Sequence, residues 1–242
     1  MKISAVINIR NEAHLIEECV ASLRGFADEI VVSDMQSTDG GGDLARQLGC
    51  IVFSFPHHEV VEHSILPRIQ KATGEWVLLF DPDMRLPTDT ARRLREVVRN
   101  DEADIVQFKL INRVFGYDVT HGHGASDGFI KFFKRRLFLE SPVKEPRIHA
   151  MVSDTLKAVD ARWLRLGKEY PLIHLAYPDL HKCFQQHLRY ACYEANERWE
   201  RGERFSVVKL LWEPFKKFLI DFGYFQAWRD GMPAMIYSFI SE

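Results

Sequence analysis

Three things are scarce in this chain, and each scarcity excludes something. Cysteine is the first: 242 residues contain four, Cys19, Cys50, Cys183 and Cys192, and none sits in a CxxC pair. That spacing argues against a zinc site and favours free thiols in a reducing cytoplasm. Long apolar runs are the second. No stretch reaches the roughly 18 apolar residues of a membrane-spanning helix. The opening MKISAVINIRNEA is interrupted by charge too early for a signal peptide. An excess of charge of one sign is the third. With 32 Lys and Arg against 34 Asp and Glu the formal charge is −2, so no global field attracts nucleic acid. The clearest local basic cluster is Lys131, Lys134, Arg135 and Arg136.

What is present is an ordinary globular balance, 46% hydrophobic and 27% charged, at a length that suits one large α/β domain with or without a helical appendage. The first 110 residues alternate two kinds of segment. Short, nearly continuous apolar runs at Ile3–Ile9, Glu29–Ser33, Ile51–Phe55, Trp76–Phe80 and Ile105–Leu110 read as strands buried on both faces of a parallel sheet. Between them lie helical stripes: Leu15, Cys19, Val20 and Leu23; Leu44, Ala45 and Leu48, in a helix that Ser37 or Thr38 would cap; and Leu94, Val97 and Val98 beside Arg92, Arg93, Arg95 and Arg99, a solvated face. Strand–helix alternation with short connections predicts a doubly wound, mostly parallel sheet, whose ligands bind beyond the carboxyl ends of the strands. The residues there are Ile9–Glu12, Asp34–Asp39, Ser54–His58 and Asp81–Met84.

Two acidic groups stand at that edge. Asp81-Pro82-Asp83 directly follows the apolar run Trp76–Phe80. Two carboxylates two residues apart suit a hard divalent cation, Mg or Mn, that also bridges phosphate oxygens and offsets charge on a leaving diphosphate. The same three residues are good turn chemistry, and Asp83 could cap a helix. Asp34 closes the second run ahead of Ser37-Thr38-Asp39 and Gly40 to Gly42. An acidic residue at that place can accept a hydrogen bond from a base or ribose. The glycines there permit tight backbone turns.

Residues 111–178 read as a loop containing Gly116, His121, Gly122, His123, Gly124 and Gly128, then a strand at Phe129–Phe133; the acceptor side of the site is expected here. The last third is helical, with one helix over about Pro178–Arg201 ended by Gly202. The expected divisions are therefore 1–110, the half that carries the strand-end acidic groups; 111–178, the acceptor-side half of the same domain; and 179–242, a helical extension.

The order of Asn11-Glu12, Asp34-x-x-Ser37-Thr38-Asp39-Gly40, Ala72-Thr73-Gly74-Glu75-Trp76 and Asp81-Pro82-Asp83 resembles the family 2 glycosyltransferases of GT-A fold, most of all the branch that builds lipopolysaccharide core and related surface glycans. The resemblance covers about residues 1–100. It implies that Ile9, Asn11, Glu12 and Asp34 line a nucleotide pocket. Asp81 would contact the ribose or the metal, and Asp83 would be a metal ligand. The reaction it implies is direct inverting transfer of a sugar from a nucleotide-diphosphate donor to a glycan or lipid-linked acceptor, with one side chain as general base. Pro171-Leu-Ile-His174 resembles the family's late histidine, a second metal ligand. Asp127-Gly-Phe-Ile-Lys131 resembles the strand that carries an Arg, with Lys131 in that Arg's place.

There are departures. Met84 stands where the family often has Glu, Ile65-Leu66 where it has Arg-Asn with Arg68 one turn on as a substitute, and His149-Ala150 where it has His-Glu. The last leaves Glu145, then Asp127, as candidates for the base. Met84 and Ala150 also keep open a catalytically idle glycan- or protein-binding module. A nucleotidyltransferase fits less well, since Arg10-Asn-Glu-Ala replaces the Gly-rich basic loop such enzymes carry. The aromatic segment 205–228, with Phe215, Phe218, Leu219 and Phe222 on one helical face and Lys209, Lys216 and Lys217 beside it, has the make-up of a helix at a membrane interface. It would equally suit packing on the catalytic domain or on a second copy in a homo-oligomer.

Overall fold

A computed structural model describes residues 1–57, 64–121, 127–142 and 151–240. The described residues fall into two compact units, Met1–Lys109 with Asp127–Leu172, and Leu110–Ser126 with Ile173–Glu242. The stretch expected to form an acceptor-side half is thus distributed over both.

The first unit is built on a sheet. Its strands are β1 (Ile3–Ile9), β2 (Glu29–Asp34), β3 (Ile51–Ser54), β4 (Trp76–Phe80), the short β5 (Met84–Arg85), β6 (Ile105–Val114, whose last residues enter the second unit), β8 (Asp127–Lys134) and β9 (Trp163–Arg165). The spatial order β3-β2-β1-β4-β8-β6 begins parallel. β8 then runs antiparallel to both β4 and β6, and β9 lies parallel to β6. Helices α1 (Ala13–Leu23), α2 (Gly41–Gln47), α3 (Ile65–Lys71), α4 (Thr88–Asn100), α5 (Arg135–Leu139) and α6 (Met151–Lys157) connect the strands. This is the expected α/β, mostly parallel GT-A arrangement. β1 and β4 are buried at every residue, as continuous apolar runs in a sheet centre must be.

Four details differ from the sequence reading. β3 is an edge strand with Ile51 half exposed, so an apolar run did not mean burial on both faces. β6 continues past Leu110 to Val114 because Asn112 and Arg113 keep the in–out alternation that an apolar count stops at. The buried face of α1 uses Ile16 rather than Leu15. The N-cap of α2 is Gly40, at φ 81°, rather than Ser37 or Thr38, which are engaged elsewhere.

The lower edge of the sheet is tied together by Glu29. Its carboxylate accepts from Lys2 Nζ at 2.7 Å, Ser4 Oγ at 2.5 Å, Thr73 N at 2.6 Å and Thr73 Oγ1 at 2.7 Å. Burial alone would push this carboxyl up; the four donors outweigh it and hold it down at about 2. Gly74 follows because the chain passes against β1 here: a Cβ would come within 2.5 Å of Ser4 Oγ and 2.8 Å of Ser4 N. The basic cluster is dispersed over several partners. Lys134 Nζ pairs with Asp101 and Asp104, Arg135 Nε donates to the Ile69 carbonyl, and Arg162 closes the network onto Asp104. Arg93 and Arg95 likewise pair with Glu102 and Asp28 rather than forming a plain solvated face.

The second unit carries β7 (Tyr117–Val119), antiparallel to the end of β6, and β10 (Leu172–Tyr177), with helices α7 (Leu180–Glu200), α8 (Val207–Leu219) and α9 (Gly231–Ile240). A π-helical turn, Ile220–Tyr224, and a 3-10 turn, Ala227–Asp230, join the last two helices. Gly202, at φ 81°, follows the end of α7 as expected. Its core gathers Val114, Val119, Ala176, Tyr177, Cys183 and Ala234. Asp230 secures β7 by accepting from Thr120 N, Thr120 Oγ1, His121 N and the His121 ring.

Candidate functional site

The carboxyl ends of β1, β2 and β4 lie side by side, because Ile9 pairs with Asp34 and Ile7 with Phe80 in the parallel register. The residues following them therefore share one edge, where ligands bind in open α/β sheets. Ile9 is buried in the last position of β1, and its carbonyl accepts from Met35 N at 3.0 Å.

Beyond it the chain turns at Asn11, whose φ of 53° is one that Asn tolerates better than most residues. From there Asn11 laces β1 to the loop after β2: its backbone N–H donates to Ser37 Oγ at 3.1 Å, and its Oδ1 accepts from Thr38 N at 2.8 Å. Asp39 makes the reciprocal tie, accepting from Ala13 N at 2.8 Å and Gly41 N at 3.0 Å. Those donors keep its carboxyl below the usual range. Glu12 turns back to accept from Arg10 N at 3.2 Å. The Ser-Thr-Asp motif thus rigidifies two adjacent loops rather than capping α2.

Asp34 is half-buried at the end of β2, with Oδ1 accepting from Ser37 N at 2.9 Å. α2 passes so close that a Cβ on Gly42 would stand 2.3 Å from Asp34 Oδ2. The glycine run therefore serves two needs: the positive φ of Gly40, and the absence of a side chain at Gly42 beside the carboxylate.

Asp81, Pro82, Asp83 and Met84 form a β-turn, closed by Met84 N donating to Asp81 O at 2.9 Å. Its underside is fixed by Cys19, whose thiol lies 3.7 Å from Asp81 O; burial pushes that thiol up to about 12, so it stays protonated and can donate. Arg85 clamps the turn from the other side through the carbonyls of Pro82 and Met84, each at 2.8 Å. Asp83 does not cap a helix, since α4 begins at Thr88 with Pro87 in the cap position. Its Oδ1 atom is buried. Asp81 Oδ2 accepts from Lys131 Nζ at 2.7 Å. That partnership spans fifty residues. The matching signal in the sequence was Lys131 in the place of an Arg on its strand, which gave a position without naming Asp81.

Arg68, Asp127 and His174 lie on other elements. Arg68 is buried on α3, its Nε donating to the Ser64 carbonyl at 3.2 Å. Asp127 opens β8, with its backbone in register with Lys109. Glu145 lies outside the described residues. His174 belongs to the second unit, on β10, with Nδ1 2.6 Å from Asn112 Oδ1. An amide oxygen only accepts, so in this arrangement Nδ1 carries the hydrogen. Met84, at the position where Glu was expected, is buried.

Among the described residues no group of three or more His, Cys, Asp or Glu side chains is arranged to hold a metal. The turn offers two hard carboxylates, Asp81 and Asp83, in sequence-adjacent reach. That donor set fits Mg or Mn, which take one or two carboxylates and fill the remaining positions with water and substrate phosphate; it does not fit a fully protein-enclosed ion.

Asp34 at the end of β2 and the acidic turn after β4, two strands away, thus stand at one carboxyl edge of a mostly parallel α/β sheet. Residues 4–159 match the family model described as "Glycosyl transferase family 2". The chain belongs to that family.

An uncharacterised glycosyltransferase of Rickettsia typhi is 24% identical over 250 residues, which cover 98% of this chain and 83% of the relative. A TPR repeat-containing protein of Synechococcus elongatus is 28% identical over 102 residues, 42% of this chain and 25% of that protein. The chain thus matches only a quarter of the length of that relative. Among solved structures, the Pyrobaculum calidifontis mannosyltransferase PcManGT, in complex with GDP-Man and Mn2+, superposes with a TM-score of 0.58 at 18% identity, covering 98% of this chain and 72% of that one. Staphylococcus aureus TarS 1-349, in complex with UDP-GlcNAc, gives a TM-score of 0.52 at 18% identity, over 73% of this chain and 58% of that one. These likenesses are of fold.

Proposed function

We propose that the chain transfers a sugar from a nucleotide-diphosphate donor to a hydroxyl of a growing surface glycan or a lipid-linked acceptor, with inversion at the anomeric carbon. The observation that carries this reading is the convergence of Asp34 and the Asp81–Asp83 turn on one carboxyl edge, built from loops that hydrogen-bond each other into a fixed frame. Asp34 would accept from the base or ribose. Ile9, Asn11 and Glu12 would wall the nucleotide. Asp81 would reach the ribose or the metal, and Arg68 would lend positive charge from α3.

Asp83 would hold a divalent cation. That ion, when bound, supplies positive charge against a leaving diphosphate. The likeness to folds whose solved forms contain Mn2+ with GDP-Man supports it. The acceptor hydroxyl attacks the anomeric carbon as the bond to the diphosphate oxygen breaks, and a carboxylate takes the hydroxyl proton. Glu145 is the first choice for that base and Asp127 the second. The four cysteines are free thiols, which suits a cytoplasmic setting.

One observation favours a second reading. Lys131 already places an ammonium on Asp81, the role a cation would fill, and Met84 is packed inward. A catalytically idle module that binds a glycan or a protein would need no more. A panel of UDP-, GDP-, CDP- and dTDP-sugars, followed by release of the nucleoside diphosphate, separates the two. Release from one base class is the expected result, and no release from any donor would move the account to the idle module.

A further inference from the structure

We propose that α8 lies flat in the headgroup region of an anionic lipid bilayer and docks the second unit on a membrane surface, a property independent of which donor the first unit takes. Ser206 starts the helix, its side chain accepting from Lys209 N. Val208, Leu211, Trp212, Phe215 and Leu219 then recur at helical spacing and form one stripe. Each of them is at least half exposed. No residue of α8 is buried, so the stripe contributes nothing to the core of its own unit.

The side of α8 turned toward the protein carries its half-buried residues, Glu213, Pro214 and Phe218. Among them Glu213 meets Arg198 of α7 at 3.1 Å, away from the stripe, which neutralises its acid. Lys209 and Lys216 stand one turn before and one turn after Trp212, at the border of the stripe. Lys209 pairs with Glu203 at 3.6 Å, with both side chains exposed. Tyr224 and Trp228 add exposed aromatic surface on the same unit.

Charge decides the occupant. An apolar stripe with a Trp and two Lys on its border complements anionic headgroups over acyl chains. A second copy would bring the same basic border against its own. No helix among the described residues is long and apolar enough to cross a membrane, so the helix rests on the surface.

The test is flotation of the full chain with vesicles of phosphatidylcholine, or of phosphatidylcholine containing a third phosphatidylglycerol, at low and high salt. Light scattering supplies the oligomeric state and far-UV circular dichroism the fold. The full chain should float with the anionic vesicles and release with salt. Leu211→Glu with Phe215→Glu should abolish flotation without loss of helicity. Lys209→Glu with Lys216→Glu should weaken it by about tenfold, each lysine near such a surface contributing a few-fold to tenfold. The proposal is overturned if the intact chain does not float, if it floats equally on neutral vesicles, or if it is a dimer that Phe215→Glu dissociates.

Discussion

Replacing Glu29 by Gln should destabilise the first unit in a pH-dependent way. Glu29 accepts four hydrogen bonds from Lys2, Ser4 and Thr73, and these hold its carboxyl at about 2 where an unperturbed Glu titrates at 4.5. A shift of that size corresponds to about 3 kcal/mol, and residual solvent screening reduces it to about 2 kcal/mol. For a chain of this length that is a drop in Tm of about 4–8 °C at pH 7. The sign follows from linkage. The folded carboxyl titrates below the unfolded one, so its contribution is complete above about pH 4.5 and disappears as pH falls through about 2. The glutamine cannot titrate, so the gap between the two proteins should be widest near neutrality and close toward pH 2. Thermal unfolding by circular dichroism across that range reads it directly. A gap below about 1 °C at pH 7, or one constant with pH, would refute the hydrogen-bond account of Glu29.

Other perturbations probe the site and the second unit. Gly42→Ala puts a methyl 2.3 Å from Asp34 Oδ2, so Asp34 must move; calorimetry should show nucleotide affinity reduced tenfold or more, at a stability cost of about 1–3 kcal/mol by chemical denaturation. Lys131→Gln removes the ammonium from Asp81 and should weaken nucleotide binding about fivefold in the same assay, the scale of one partly exposed charge pair. Asp230→Asn leaves the donors of Thr120 and His121 poorly matched and should cost about 2–3 kcal/mol, read as a lower urea midpoint with faster amide exchange in β7.

Much of the framework was legible in the sequence because it depends on neighbours in the chain. Ile3–Ile9 is largely apolar, Trp76–Phe80 wholly so, and both are buried throughout; Asp34 and Asp81 stand at strand ends as their runs predicted. Legibility stopped where partners are far apart. Nothing near Glu29 announces Thr73, and nothing near Asp81 announces Lys131, since those pairings exist only once the sheet has brought distant segments together. Local rules also failed where tertiary contacts outbid them. Ser37 and Thr38 are good caps, yet Asn11 claims both, and Gly40 caps the helix instead. Ile51 had strand composition, but composition does not say which strand becomes the edge. The aromatic stripe of α8 was visible; that Glu213, away from the stripe, pairs with Arg198 of α7 was not.

The central claim is a donor-nucleotide site whose metal is held by Asp83. Calorimetric titration of the intact chain with UDP, GDP, CDP and dTDP, with and without Mn²⁺ and beside Asp83→Ala, tests it most directly. Metal-dependent binding of one nucleotide, lost in the variant, is the predicted result. Binding that ignores both the metal and the substitution, or no binding of any of the four, would contradict it and return Asp81-Pro82-Asp83 to the role of a turn.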